Sequence, residues 1–364
     1  MKQALLLTRY DNQTGDCTNL FDENDFSIAS LRLQVKPLVE ALKRFHYNYN
    51  ILSLNTNTPE TLDLISYPDI AIFTKANTTV DMQNNLAMSN LAALARLKCR
   101  KIPIVCIYSD NLAGEERYPT GEFHRNLLSM SNFIICPSKR LAKESSKHTS
   151  NQTPTFIVND PWQVRQELPF QKLNHNSIIK LLWFGQGANL KYLIELLPNL
   201  MQNLGSERKY EITILSEFRA LKKSKHYWNK FSPPNHWRLR NVEWNQLDQP
   251  VQLERELFNA HITLLPSDPL DCRKCGVSHN RVVDSIRGGC IPIASPMDSY
   301  KEIQKICVLT NNFSHSVNLV IEKYNTIAEH LSHSRSKILE EFSPEENRKR
   351  WDDILKAITS TSFN

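Results

Sequence analysis

Short apolar runs punctuate the chain in two sets of six, each run bounded by polar or turn-forming residues. The first half carries ALLLTRY, YNILSL, DIAIF, IPIVCIY, NFIICPS and TFIVND. The second carries IIKLLWFG, YEITILS, WRLRNVEW, HITLLPS, CIPIAS and ICVLT. Most are rich in Ile, Val and Leu and lack polar alternation, the pattern of strands covered on both faces. Longer helical patterns separate them, so the runs should pair in parallel through right-handed crossovers. The expected fold class is α/β, with two Rossmann-like, doubly wound parallel-sheet domains.

The polar, aperiodic stretch RQELPFQKLNHNS (165–177), which contains Pro169, marks the boundary. This predicts a first domain over 1–165, a linker over 166–177, a second domain over 178–335 and a C-terminal helical segment over 336–364. In SPEENRKRWDDILKAI, Ser343 suits an N-cap, Pro344 the first helical position, and Glu346 completes a capping box. That helix follows the last strand instead of feeding another, and is expected to dock back on the first domain.

Composition narrows the class. Of 364 residues, 41% are apolar and 23% charged, which is globular, and the net charge of +6 is not gathered in a tail. No nucleic-acid-binding module is evident, and no nucleic-acid partner is expected. RALKKSKHYWNK (219–230) reads as a solvated basic helix, or as a face for anionic phosphates at a membrane surface. No run approaches the roughly 20 apolar residues that span a bilayer. The start MKQALLLTRYD reads as a first strand, not as a signal peptide. Cys106, Cys136, Cys290 and Cys307 lie in or beside apolar runs and behave as small hydrophobes, which fits a reducing cytoplasm, extending to the inner membrane surface. Cys272 and Cys275 form the only CxxC, without a second ligand pair nearby, so no metal is expected.

Open parallel sheets bind ligands beyond the carboxyl ends of their strands. After KLLWFG, Gly185 and Gly187 open a helix bearing Lys191, and glycines there allow an anion to approach the backbone. The turn is not a full GxGxxG and does not indicate nicotinamide binding. After HITLLP, a loop carries Asp268, Asp271, Arg273 and Lys274, and a helix begins between Ser278 and Asn280. Its first N–H groups, with Arg281 and Lys274, would cradle a diphosphate. Asp284 lies one turn beyond Asn280. It reads either as a carboxylate accepting two ribose hydroxyls or as a surface residue on a helix that Gly288-Gly289 ends, and local chemistry leaves both open.

HITLLPSDPLD…NRVVDSIRGGCIPIASP resembles the donor-domain signature of GT-B glycosyltransferases, especially the retaining family-4-like enzymes. The resemblance is clear over about 178–300, fainter over 100–140, and before that rests on SIASLRLQVKPLVEAL as a first helix. It implies a GT-B fold whose two domains face each other across a cleft. It further implies transfer of a sugar from a nucleotide-diphosphate sugar, with retention and without a metal or other cofactor. Under it Asp284 holds the donor ribose, the backbone of Ser278, His279 and Asn280 holds phosphate and sugar, and Trp244 with Asn245 meets the base. Arg281, Lys274 and Lys191 would stabilise the leaving diphosphate. The acceptor, a glycan, a lipid-linked molecule or a protein, would be chosen near Asp16, Arg32 and Asp110. The chain departs from the pattern in three places. Gly276 stands where the family has its first glutamate, eight positions before Asp284, with Asp268 and Asp271 as substitutes from the same loop. Gln186 replaces an arginine, and Ser109-Asp110 replaces a histidine. These departures support an alternative, a degenerate GT-B module that binds a glycan or a partner enzyme. A sugar-nucleotide epimerase is a third reading.

Overall fold

The structure, a computed structural model, describes residues 2–8, 31–54, 57–65, 67–74, 83–115, 120–230, 233–244 and 249–361. Its contacts gather into two compact units. The first comprises 1–160, 270–278 and 344–364; the second comprises 161–269 and 279–343. The division thus falls between Asp160 and Pro161, ahead of the expected linker, and the loop 270–278 groups with the first unit instead of the donor-side one.

In the first unit, β1 (Lys2–Thr8), β2 (Tyr47–Ser53), β3 (Ile70–Phe73), β4 (Ile104–Ile107), β5 (Phe133–Cys136) and β6 (Thr155–Ile157) form one parallel sheet in the order β2-β1-β3-β4-β5-β6. The apolar runs lack alternation because both faces are covered. Leu5, Leu7, Phe73, Ile104 and Cys106 enter one core with Phe123 and Leu127 of α4 (Thr120–Met130). Their neighbours Ala4, Leu6, Ile72 and Val105 point the other way. There they meet Leu38 and Leu42 of α1 (Lys36–Arg44), and Trp351 and Ile354 of the C-terminal helix, α12 (Pro344–Ser360). Each fully buried Leu or Ile contributes about 1.5–3 kcal/mol. Arg44 and Asp352 also join α1 to α12 at 2.6 Å.

In the second unit, β7 (Ile179–Phe184), β8 (Tyr210–Ser216), β9 (Trp237–Glu243), β10 (Ile262–Leu265), β11 (Ile291–Ala294) and β12 (Val308–Leu309) form a parallel sheet ordered β12-β11-β10-β7-β8-β9. This is the doubly wound order. The strand sequence reverses between β7 and β10, which are direct neighbours with Ile262 opposite Leu181. The chain leaves β7 into α6 (Leu190–Asn203), β8 into α7 (Phe218–Lys230), and β10 towards α9 (Asn280–Arg287). The crevice at that reversal, beyond the carboxyl ends of β7 and β10, is where such sheets take ligands.

Candidate functional site

Two groups converge at the β7/β10 reversal. The turn after β7 is fastened by Gly185, whose N–H donates to Leu215 O at 3.2 Å, and by Ser216, whose hydroxyl donates to Gly185 O at 2.9 Å. Ser216 O also accepts the Trp244 N–H at 2.9 Å, so one residue ties the ends of three neighbouring strands together. Sequence reasoning missed Ser216, because nothing in YEITILS sets its last residue apart. The second group is Arg281, in the first turn of α9. A Cβ added to Gly185 would lie 3.6 Å from Arg281 Nη1, and that nitrogen is buried with no hydrogen-bond partner among the described residues. An enclosed guanidinium nitrogen without an acceptor is costly, and such orphans mark places for a ligand, ion or water. The α9 N-terminus lies beside it, where backbone N–H groups favour an anion.

Gly187 has a different task from the expected one. A Cβ there would meet Ala220 Cβ at 2.3 Å, and its N–H donates to Glu217 Oε1 at 3.2 Å. The glycine lets α7 pack closely, and a carboxylate of the protein already occupies its amide. Lys191 is exposed on α6, with its ammonium 4.8 Å from the Tyr192 ring.

Asp284 is a correction. It is 0% exposed, so it does not present its carboxylate to a ribose. Oδ1 accepts the N–H groups of Gln163 at 2.7 Å and Val164 at 3.3 Å, and Oδ2 accepts Gln163 Nε2 at 2.8 Å. Nor is Asp284 the surface residue of the alternative reading, of which only the helix end holds: Gly288 caps the helix with its N–H on Asp284 O, and Gly289 turns at φ 78°.

The expected linker is a strap over α9. Arg287 Nε and Nη2 donate to the carbonyls of Val164 and Arg165 at 2.7 and 2.9 Å, and its guanidinium stacks 3.8 Å from the Trp162 ring centre. Buried Arg335, on α11 (Tyr324–Leu339), donates to Ile286 O and pairs with Glu167 at 2.8 Å. Burial lowers the pKa of both arginines, with Glu167 acting in the opposite direction.

The remaining donor-side residues divide. His279 is 2% exposed; its Nε2–H donates to Ser299 O at 2.9 Å, Glu302 lies 3.6 Å away, and the ring meets Phe342 edge-on. Its side chain therefore serves packing. The Asn280 carboxamide oxygen accepts the Arg281 N–H at 2.8 Å. Asp268 and Trp244 are half-buried in the second unit, while Asn245 lies outside the described residues.

Lys274 and Ser278, both half-buried, fall in the first unit with the loop that carries them. There the Asn111 backbone N–H and Nδ2 donate to the carbonyls of Arg273 and Cys272, and Ser138 Oγ donates to Gly276 O at 2.9 Å. Asp271 cannot stand in for the missing glutamate. Both its oxygens take Arg273, at 2.9 and 2.8 Å, and this pairing holds its carboxyl below the usual range. At Gly276 there is no room for any side chain: a Cβ would meet Leu141 Cβ at 2.5 Å and Leu141 Cα at 2.8 Å. Cys272 is exposed and its thiol donates to Gly114 O at 3.4 Å; Cys275 is half-buried.

Of the acceptor-side candidates, Asp16 lies outside the described residues, and Arg32 and Asp110 are half-buried in the first unit. Between their segments runs a polar chain that sequence reasoning missed. Ser109 Oγ donates to Gln34 Oε1 at 2.6 Å, and Gln34 Nε2 donates to buried Asp160 at 3.1 Å.

No protein-family model and no curated protein matches the sequence. Solved structures do match along nearly the whole chain. Anabaena HepE in complex with UDP-glucose superposes with a TM-score of 0.63 at 10% identity, covering 98% of this chain and 100% of that one. The fold is GT-B. A putative UDP-N-acetylglucosamine 2-epimerase from Listeria monocytogenes gives 0.56 at 10% identity, covering 100% and 99%. An alpha-glucosyltransferase in complex with UDP-glucose and DNA gives 0.50 at 12% identity, covering 97% and 94%. At such identities the likeness is one of fold, and these GT-B neighbours include both transferases and epimerases.

Proposed function

We propose that the protein is a glycosyltransferase, hexosyltransferase-like, that moves a sugar from a nucleotide-diphosphate sugar to a hydroxyl of a glycan, lipid-linked or protein acceptor. The observation that carries this reading is Arg281, whose buried Nη1, without a partner among the described residues, stands beside Gly185 at the β7/β10 reversal. A diphosphate there would give that nitrogen its acceptor. As the bond between the anomeric carbon and the diphosphate oxygen breaks, negative charge builds on the leaving group. A fixed guanidinium and the first N–H groups of α9 stabilise it more than they stabilise the intact donor. Lys191, in the first turn of α6, would add a second positive charge. This stabilisation comes from the chain's own donors, in keeping with metal-independent, retaining transfer of the family-4-like kind. Uridine nucleotides are the first donors to test, since HepE and the alpha-glucosyltransferase were solved with UDP-glucose.

The proposed setting is cytoplasmic, with peripheral membrane contact through α7. Among the described residues no helix is long and apolar enough to cross a membrane. Cys106, Cys136 and Cys290 are free and buried, with burial raising the Cys136 thiol to about 12, which suits a reducing compartment. On α7, exposed Phe218 and Tyr227 flank exposed Arg219, Lys222 and Lys223, an arrangement suited to anionic lipid headgroups.

A second reading, a GT-B module that binds without catalysis, is favoured by two observations: the closed space at Gly276 and the engaged carboxylate of Asp284. The deciding experiment offers purified protein UDP-, GDP-, ADP- and CMP-sugars and follows nucleotide release and sugar transfer. The transferase reading expects turnover with one donor class and a loss of roughly a hundredfold to a thousandfold in Arg281→Ala. Nucleotide binding without turnover, in the presence of a mixed pool of glycan acceptors, would favour the module.

A further inference from the structure

A cavity in the second unit lies away from Gly185 and Arg281, between α6 and α10 (Phe313–Glu322), and measures about 660 Å³. It begins at Glu195, one turn past Lys191, and follows α6 to its end at Asn203, roughly 18 Å from Lys191 at 1.5 Å per residue. Carboxamides dominate its wall: Asn199 and Asn203 from α6, and Asn311, Asn312 and Asn318 from the approach to α10 and the helix itself. Three of these hold the wall in place. Asn199 Oδ1 accepts the Ser314 hydroxyl at 3.0 Å, Asn203 Nδ2 donates to Asn199 O at 2.8 Å, and Asn312 Oδ1 caps α10 on the His315 N–H at 3.1 Å. Those bonds leave the Asn199 and Asn312 amide nitrogens and the Asn203 oxygen uncommitted. Among the described residues, the side chains of Asn311 and Asn318 make no protein hydrogen bond.

The chemistry of the wall selects a ligand class. Among the described residues no lysine or arginine lines the cavity, which disfavours a phosphate or carboxylate. A hard cation would want several charged oxygens, and Glu195 is the only carboxylate among the described lining residues. The carboxamides of Asn311 and Asn318 each donate and accept in one plane, as vicinal hydroxyl pairs require, and half-buried Leu196, beside the largely buried Phe313, adds an apolar patch. The volume lies in the usual range for a small-molecule site of about 300–1,000 Å³. We propose that this pocket is a saccharide-binding site, distinct from the donor-side residues, that takes a neutral oligosaccharide. It does not depend on the transferase reading, since a glycan would be held here whether or not nucleotide is bound.

The test is titration of the full chain with maltotetraose, cellotetraose, mannotetraose and chitotetraose, with and without saturating UDP. Asn311→Ala/Asn318→Ala is the chosen variant, because neither side chain supports the fold through a hydrogen bond. The expected result is binding of at least one neutral tetrasaccharide, weakened about tenfold or more in the double variant, roughly one lost net hydrogen bond or two. Circular dichroism should be unchanged, and Arg281→Ala should bind the saccharide as wild type does. Absence of binding at about 5 mM of every probe, a Kd weaker than any useful affinity, overturns the proposal. So does undiminished binding in the double variant, or binding abolished by EDTA, which would make the site a metal site.

Discussion

Substituting Asp284 separates a structural carboxylate from a ribose-binding one. The carboxylate is fully enclosed and accepts three hydrogen bonds from Gln163 and Val164, which anchor the strap to α9. A hydrogen bond to a charged group contributes about 1.5–3 kcal/mol, and removing one partner of a buried charged cluster costs about 3–5 kcal/mol. Asp284→Ala leaves two backbone N–H groups without acceptors in a dry place, so a loss of about 3–5 kcal/mol is expected. For a unit of this size each kcal/mol shifts Tm by about 2–4 °C, giving a drop of roughly 6–20 °C. Asp284→Asn keeps one oxygen but turns an amide donor towards other donors, and should fall between. The assay is thermal unfolding by circular dichroism, with nucleotide titration well below the variant's Tm. Wild-type Tm together with lost nucleotide affinity would refute the reasoning and return Asp284 to the ribose.

Three further outcomes follow from the geometry. Gly276→Glu should destabilise the protein by about 1–3 kcal/mol or more and leave turnover no higher, because its Cβ would strike Leu141; a stable variant with raised turnover would contradict this. His124 is buried with neither ring nitrogen bonded among the described residues, and burial lowers its pKa to about 3 from an ordinary 6.5. The unfolded chain therefore takes up the proton first, and stability falls as pH drops from about 6.5 towards 3. His124→Leu should gain on wild type by about 2 kcal/mol between pH 6.5 and pH 5 in paired melting curves, an equal offset at both pH values being the contrary result. Finally, Lys222→Glu/Lys223→Glu should cut co-sedimentation with phosphatidylglycerol-containing vesicles by tenfold or more, at about 1 kcal/mol per basic residue, without affecting the weak retention on phosphatidylcholine. Equal retention of variant and wild type would remove α7 from the membrane.

Most strands were legible because burial on both faces writes itself as unbroken apolar runs, and each of the quoted runs overlaps a strand. The reversal at β7/β10 was legible only as two turns worth inspecting, since strand order depends on pairing between distant segments. Arg281 could be nominated from its place at a helix start; that its Nη1 is buried beside Gly185 could not, because β7 and α9 are about a hundred residues apart in sequence. Polar character misled at 165–177. Most charged and polar residues there are exposed, yet the stretch is fastened to the second unit: Glu167 pairs with Arg335, and Gln163 just upstream holds Asp284. The glycine at 276 was read as a lost carboxylate, whereas the constraint is the Leu141 backbone pressed against it.

The proposed function stands on a nucleotide diphosphate held by Arg281 at the β7/β10 reversal of the second unit. Isothermal titration of wild type and Arg281→Ala with UDP, GDP, ADP and CMP tests it most directly. Wild type should bind one of the diphosphates in preference to CMP, and Arg281→Ala should bind it at least about tenfold more weakly with its Tm unchanged. Arg281→Lys should recover only part of that affinity, since an ammonium lacks the bidentate fork. Equal affinity of wild type and Arg281→Ala for the preferred diphosphate, or no binding of any nucleotide by wild type, would contradict it.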